Sequence, residues 1–269
     1  MKLRVCLFIM LSDKTIVLLS ICDIILYIKV LRGVIILSAT KKLTKKEIFI
    51  YILMACTGIM ITVAGIRFNQ HFLRILPLYN SLIIATLQSR VNRYSNLLGS
   101  INSLLYTAVY IYYNLYASAF SALLFSFPMQ LITFIRWNKN KWQHSTKLRK
   151  MTWKQRGLAF LGYSVALVAM WIILPLIGSE YVFLDSATTL LGIVVLFLTM
   201  FAFVEYTFCM VVNGIIGIAL YITMIPDEPE TVTYLIFSVY SFICICFAFF
   251  EARKLYNKQQ SENITVSEV

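Results

Sequence analysis

Apolar residues come in long unbroken runs, and charged ones gather in short stretches between them. The charge-free runs are Ile48–Ile66, Ile75–Ser89, Tyr94–Ile135, Gly157–Ser179, Ser186–Val204, Tyr206–Pro226 and Thr231–Phe250. About 20 apolar residues carry a helix across the hydrocarbon core of a bilayer. The run from Tyr94 to Ile135 is too long for one crossing, and the polar break at Tyr113-Asn114 predicts two, Tyr94–Tyr112 and Tyr116–Ile135. Ile75–Ser89 is short and borrows residues from Phe72 onward. The pattern predicts eight helices from Ile48 to the end, an all-α polytopic membrane protein.

Composition agrees. Of the 269 residues, 60% are hydrophobic and 13% charged, with a mean hydropathy of +0.80; a soluble domain carries about a quarter charged residues. The net charge of +12 would suggest nucleic acid in a soluble chain. Here the basic residues sit in short loops, so they report orientation, and the partner is the lipid bilayer, not nucleic acid. With Lys41–Lys46 placed in the cytoplasm, that side holds 4 there, 2 at Arg90–Arg93, 8 in Arg136–Arg156 and 3 after Phe250, or 17 in all. The other side holds only Arg67 and Arg74, and the remaining 5 precede Lys41. The split predicts a multi-pass protein of a bacterial plasma membrane with a cytoplasmic C-terminus.

Two stretches echo each other: Asn102-Ser-Leu-Leu-Tyr-Thr-Ala-Val-Tyr110 and Asn213-Gly-Ile-Ile-Gly-Ile-Ala-Leu-Tyr221. Each lies in the second of three consecutive spans. The helices therefore group into one triple over residues 72–136 and another over 184–252. A basic loop, 137–156, and a linker helix, 157–179, join them. An odd linker gives both triples the same orientation, a parallel 3+1+3 repeat about an axis along the membrane normal. A further helix, 47–67, precedes the repeat, and 253–269 form a cytoplasmic tail. In the N-terminal segment, 1–46, Lys2 and Arg4 precede only seven apolar residues, a poor signal peptide. An extra tilted span, an interfacial helix or sequence upstream of the true start all fit residues 1–40, and no functional role is assigned to them.

Polar groups inside spans carry the chemistry, because each costs free energy unless it has a partner or a purpose. Asn80, Gln88, Asn102, Gln130, Asp185, Glu205 and Asn213 are such groups. Hydrogen bonding between helices is the plain reading of any one of them. The duplicated pair Asn102 and Asn213 argues for a pocket near the midplane that takes a small polar molecule. Asn102, Tyr106 and Tyr110 are four apart and share a helix face, with Tyr106 the deeper phenol. The outer tyrosines, Tyr110, Tyr112, Tyr113 and Tyr116, fit an interfacial belt. Asp185 and Glu205 sit at helix ends, where either could attract a cation, carry a proton or simply face headgroups. The loop with Trp137, Trp142 and Trp153 reads as a lipid-facing anchor. Cys244-Ile-Cys246 has neither redox nor zinc spacing, and no nucleophile–base pair, phosphate loop or metal set occurs, so no enzyme activity, metal or cofactor is expected.

Several segments together resemble a known family. Gly99-Ser-Ile-Asn102-Ser-Leu-Leu-Tyr106, Leu115-Tyr116, and Pro128-Met129-Gln130 ending at Trp137 look like the first half of the PnuC-type nicotinamide riboside transporters. Lys150-Met-Thr-Trp-Lys-Gln-Arg156, Leu184-Asp185-Ser-Ala-Thr188-Thr189 and Val212-Asn213 resemble the linker and second half, so the likeness spans about residues 45–255. The resemblance implies a fold like that of the sugar-transporting SWEETs, 3+1+3 with an extra N-terminal helix. It implies facilitated diffusion of nicotinamide riboside or a related vitamin precursor of NAD, bound by Asn102, Tyr106, Gln130, Tyr206 and Asn213. The family carries Trp before its second Asn, where this chain reads Glu205-Tyr206-Thr-Phe208-Cys209-Met210. Weaker ring stacking is expected, partly restored by Trp at position 209. Transport of another vitamin such as thiamine, or a non-transporting sensor or subunit, are the competing readings, and a homo-oligomer is left open.

Overall fold

The computed structural model describes residues 44–112, 122–176 and 182–267. Among these are eight α-helices: α1 (Lys45–Arg67), α2 (Phe72–Gln88), α3 (Tyr94–Tyr112), α4 (Phe127–Lys139), α5 (Trp153–Leu176), α6 (Val182–Met200), α7 (Tyr206–Met224) and α8 (Val232–Ser267). One π-helical turn, Ala122–Ser126, leads into α4. The break expected at Tyr113-Asn114 and the segment 1–43 lie outside the described residues. Among the described residues, five segments are long and apolar enough to cross a membrane: Lys45–Arg67, Trp153–Ile173, Val182–Met200, Tyr206–Met224 and Pro229–Glu262. The chain is a multi-pass membrane protein.

Helix contacts close a ring. α2 packs on α3, α3 on α4, α4 on α6, α6 on α7, α7 on α8, and α8 back on α2. In that order α3 and α7 stand opposite one another, and they are not among the extensively packed pairs. α1 lies outside the ring against α2 and α8, and α5 lies outside against α6. Thr44 starts α1 with a capping box: its hydroxyl accepts from Glu47 N, and the Glu47 carboxylate accepts from Thr44 N.

The two ends of the ring are tied differently. At one end, the α2–α3 and α6–α7 turns (residues 89–93 and 201–205) each contain a non-glycine residue at positive φ, Val91 at 53° and Ala202 at 58°. A left-handed β-branched residue is strained, at a cost of about 1–2 kcal/mol. Burial holds both in place, since Val91 and Ala202 share a core cluster with Trp137, Leu198, Tyr206 and Ala252. At the other end, Arg74 of α2 pairs with Glu230, just before α8, and Gln70 Nε2 donates to the Glu230 carbonyl at 2.6 Å.

The basic loop is built, not loose. It forms a short antiparallel hairpin, β1 (Lys141–Trp142) with β2 (Ser145–Thr146). Beyond it, Arg149 N donates to Ala202 O and Val204 N to Arg149 O, both at 2.8 Å, which ties the loop to the α6–α7 turn. Gln259 of α8 is buried there; its Nε2 donates to Thr146 O at 2.9 Å and its Oε1 accepts from Leu148 N at 2.8 Å. α8 has 36 residues, about 54 Å at 1.5 Å per residue, well beyond a hydrocarbon core of about 30 Å. It therefore runs unbroken through 253–267 and meets the loop outside the membrane.

The anchor reading of the loop tryptophans needs correcting. Trp137 is 2% exposed, and its Nε1 donates to Thr199 O at 2.8 Å, joining α4 to α6. Trp142 is half-buried with Nε1 donating to Glu262 at 3.3 Å, and only Trp153, 83% exposed, is placed as an anchor would be. Trp137 belongs to the last turns of α4 and is buried against α6, while the hairpin carries Trp142 toward the end of α8.

Gln259→Leu removes both loop bonds and buries unpaired partners, a cost of about 1–3 kcal/mol. Trypsin digestion checks it: the wild-type loop resists cleavage at Lys147 and Arg149, and the variant is cut there.

Candidate functional site

Asn102 lies eight residues into α3, about 12 Å along it, and Asn213 seven residues into α7, about 10 Å. They sit at similar depth on helices that face each other across the ring. Small and polar residues on α2 and α3 let those helices meet through side-chain amides and hydroxyls rather than bulk.

The Asn102 side begins a ladder across three helices. Asn80 Nδ2 donates to Asn102 Oδ1 at 3.1 Å, and Asn102 Nδ2 donates to Ser81 Oγ at 2.9 Å. Ser81 Oγ in turn donates to Pro77 O at 2.8 Å. One residue along, Gln130 Nε2 of α4 donates to Ser103 Oγ at 3.0 Å, and Ser103 donates to Gly99 O. A Cβ at Gly99 would fall 1.8 Å from Gln130 Oε1, so a larger residue there would displace the Gln130 amide. Asn102 is 6% exposed with both ends of its amide satisfied, whereas Asn80 and Gln130 remain half-buried. Tyr106 is half-buried one turn from Asn102.

The opposite side differs. Asn213 is half-buried, and its Oδ1, fully enclosed, accepts no hydrogen bond from any described residue. An enclosed acceptor without a donor costs about 1–3 kcal/mol. A ligand N–H or O–H would remove that cost.

Three of the five expected residues therefore stand in or beside one network: Asn102, Gln130 and Tyr106. Asn213 stands across from them. Tyr206 is elsewhere: as the first residue of α7 it is 5% exposed and packs edge-on against Trp137, ring centroids 6.2 Å apart, in the cluster at the looped end. Phe208 is 56% exposed and, with Cys209, lines a cleft on the outer side of α7. Position 209 lines that cleft, so a Trp there would enter it. Sequence reading recognised Asn80 as an in-span polar group but not Ser81 and Ser103, whose hydroxyls complete the ladder. Their signal was the i, i+1 pairing with Asn80 and Asn102.

The helix-end acids have structural roles. Glu205 accepts from Met151 N at 3.1 Å and pairs with Arg156 at 2.6 Å. Asp185 is exposed, with the Thr189 hydroxyl 3.5 Å away. Among the described residues no group of His, Cys, Asp and Glu could hold a metal.

Asn102→Ala strips partners from Asn80 and Ser81 and should cost about 1–2 kcal/mol. Asn213→Ala removes an unpaired acceptor and should leave stability unchanged or slightly higher. Thermal unfolding of the ligand-free protein in detergent separates the two.

A sequence profile of a family described as nicotinamide mononucleotide transporter matches residues 71–253. No curated protein sequence matches significantly. A solved structure titled "Crystal structure of the Vitamin B3 transporter PnuC" is similar in fold, with a TM-score of 0.65 and 20% identity over 81% of this chain and 94% of that one.

Proposed function

Since the chain belongs to the nicotinamide mononucleotide transporter family, we propose that it carries nicotinamide riboside, or a closely related vitamin precursor of NAD, through the six-helix ring. The observation that carries this is the enclosed, unpaired Asn213 Oδ1 on α7, the helix that stands opposite α3 and the uncharged amides and hydroxyls at Asn80, Ser81, Asn102, Ser103 and Gln130. Amides and hydroxyls suit a carboxamide and ribose hydroxyls. They do not suit a phosphate. No Lys or Arg occurs in residues 94–135 or 157–252, so a nucleotide's charge would be buried without a cation. This favours the nucleoside over the nucleotide.

Several features support a parallel 3+1+3 repeat of the SWEET kind. The ring order pairs α2 with α6, α3 with α7 and α4 with α8, and the triples meet at α4–α6 and α8–α2. The α2–α3 and α6–α7 turns have equal length and a left-handed residue each. The basic loop supports a cytoplasmic placement for that end and for the C-terminus. A reporter fused after Asn138 should read cytoplasmic and one after Pro229 external; both on one side would overturn the orientation.

With Glu205 held by Arg156 and Asp185 exposed, neither of these helix-end acids is placed to couple a proton to a central pocket, which favours facilitated diffusion. Uptake into proteoliposomes should equilibrate, and accumulation against a gradient under an imposed proton or sodium gradient would count against it. Calorimetric titration should show nicotinamide riboside binding, nicotinamide mononucleotide binding at least about tenfold more weakly, and Asn213→Ala losing about tenfold to a hundredfold in affinity. Thiamine binding with no response to nicotinamide riboside would assign the pocket to another vitamin.

A further inference from the structure

A cleft of about 740 Å³ lies outside the ring, where α5 leans on α6 and leaves α7 and the far end of α8 uncovered. Its walls are apolar, with Phe160 from α5, Leu191 and Val194 from α6, and Phe208 and Val212 from α7. From Leu198 to Leu191 and from Glu205 to Val212 the walls run about 10 Å down from the looped end. Its rim holds Lys150, Arg156, Glu205 and Arg253. Arg156 is taken by Glu205. Lys150 and Arg253 have no carboxylate partner among the described residues, and both are exposed. Arg253 is held over the ring of Phe249, another lining residue, at 3.9 Å.

These parts are arranged in the order of a lipid. Two spare cations stand at headgroup level, an apolar slot lies beneath them, and the slot opens sideways, since Phe160 and Phe208 are 73% and 56% exposed. The volume is that of a built ligand site rather than a packing gap. Water gains little in a slot so poor in polar groups, while the surrounding hydrocarbon can enter it freely. α5 needs such a filler, because among the described helices it packs extensively on α6 alone.

We propose that this cleft binds one anionic phospholipid, its phosphate between Lys150 and Arg253 and one acyl chain between α5 and the α6–α7 pair. The bound lipid then completes the packing of the linker helix. The site lies outside the ring, so its occupancy is independent of the transported molecule.

Native mass spectrometry of the detergent-purified chain, titrated with phosphatidylglycerol or phosphatidylcholine, tests this. The wild type should retain one phosphatidylglycerol, about tenfold or more in preference to phosphatidylcholine, since each basic group near an anionic headgroup contributes about 1 kcal/mol. Lys150→Ala with Arg253→Ala, both at exposed positions, should erase that preference while leaving residual phosphatidylcholine binding unchanged. Val212→Trp should fill the slot and reduce retention of both lipids. Equal binding of the two lipids by the wild type overturns the proposal. So does wild-type phosphatidylglycerol retention in both variants, or a lipid-free dimer in which the cleft is covered by a second copy of the chain.

Discussion

A polar atom inside the hydrocarbon layer must find its partner within the protein or in something the protein binds, because the layer supplies no water. The rest of the structure follows from how that constraint is met on the two sides of the ring. On the α2–α3–α4 side, Asn80, Ser81, Asn102, Ser103 and Gln130 satisfy one another in a ladder that also joins the helices. On the α7 side, Asn213 Oδ1 is enclosed without a donor. The first arrangement joins the helices and still leaves Asn80 and Gln130 half-buried. The second is a demand that a ligand can meet.

The ring must also be held together at both ends. At the looped end the work falls to Trp137, which bonds Thr199 and packs against Tyr206, and to the left-handed Val91 and Ala202 buried beside them. At the other end Arg74, Gln70 and Glu230 join α2 to the start of α8. The looped end is the heavier assembly, because the hairpin, Glu205 and the extension of α8 all converge there. A molecule passing through the ring would have to part these contacts in turn, and the polar clasp at Arg74 requires less repacking than the buried tryptophan.

Much of this architecture was legible in the sequence, because charge-free runs and clustered Lys and Arg are direct consequences of the bilayer. The eight helices fall close to the runs, and the Asn102–Asn213 echo located two facing helices. The roles of particular residues were less legible. Tyr206 shares a helix face with Asn213 at a spacing of seven, yet sits a whole span-half away in an apolar cluster. Trp137 looks like an interfacial anchor by its basic neighbours, but it lies in the last turns of α4 and is buried against α6. Whether Asn102 binds or braces depended on Ser81, an ordinary serine whose importance comes from helix crossing and not from its own sequence context.

The central claim is that the binding site lies inside the ring, between the amide ladder and Asn213. A structure determined with nicotinamide riboside bound tests it most directly. The account predicts the ligand enclosed by α2, α3, α4 and α7, with a hydroxyl or amide donor about 3 Å from Asn213 Oδ1. A ligand seated in the outer cleft beside α5, or one inside the ring with Asn213 still unpaired, would contradict it.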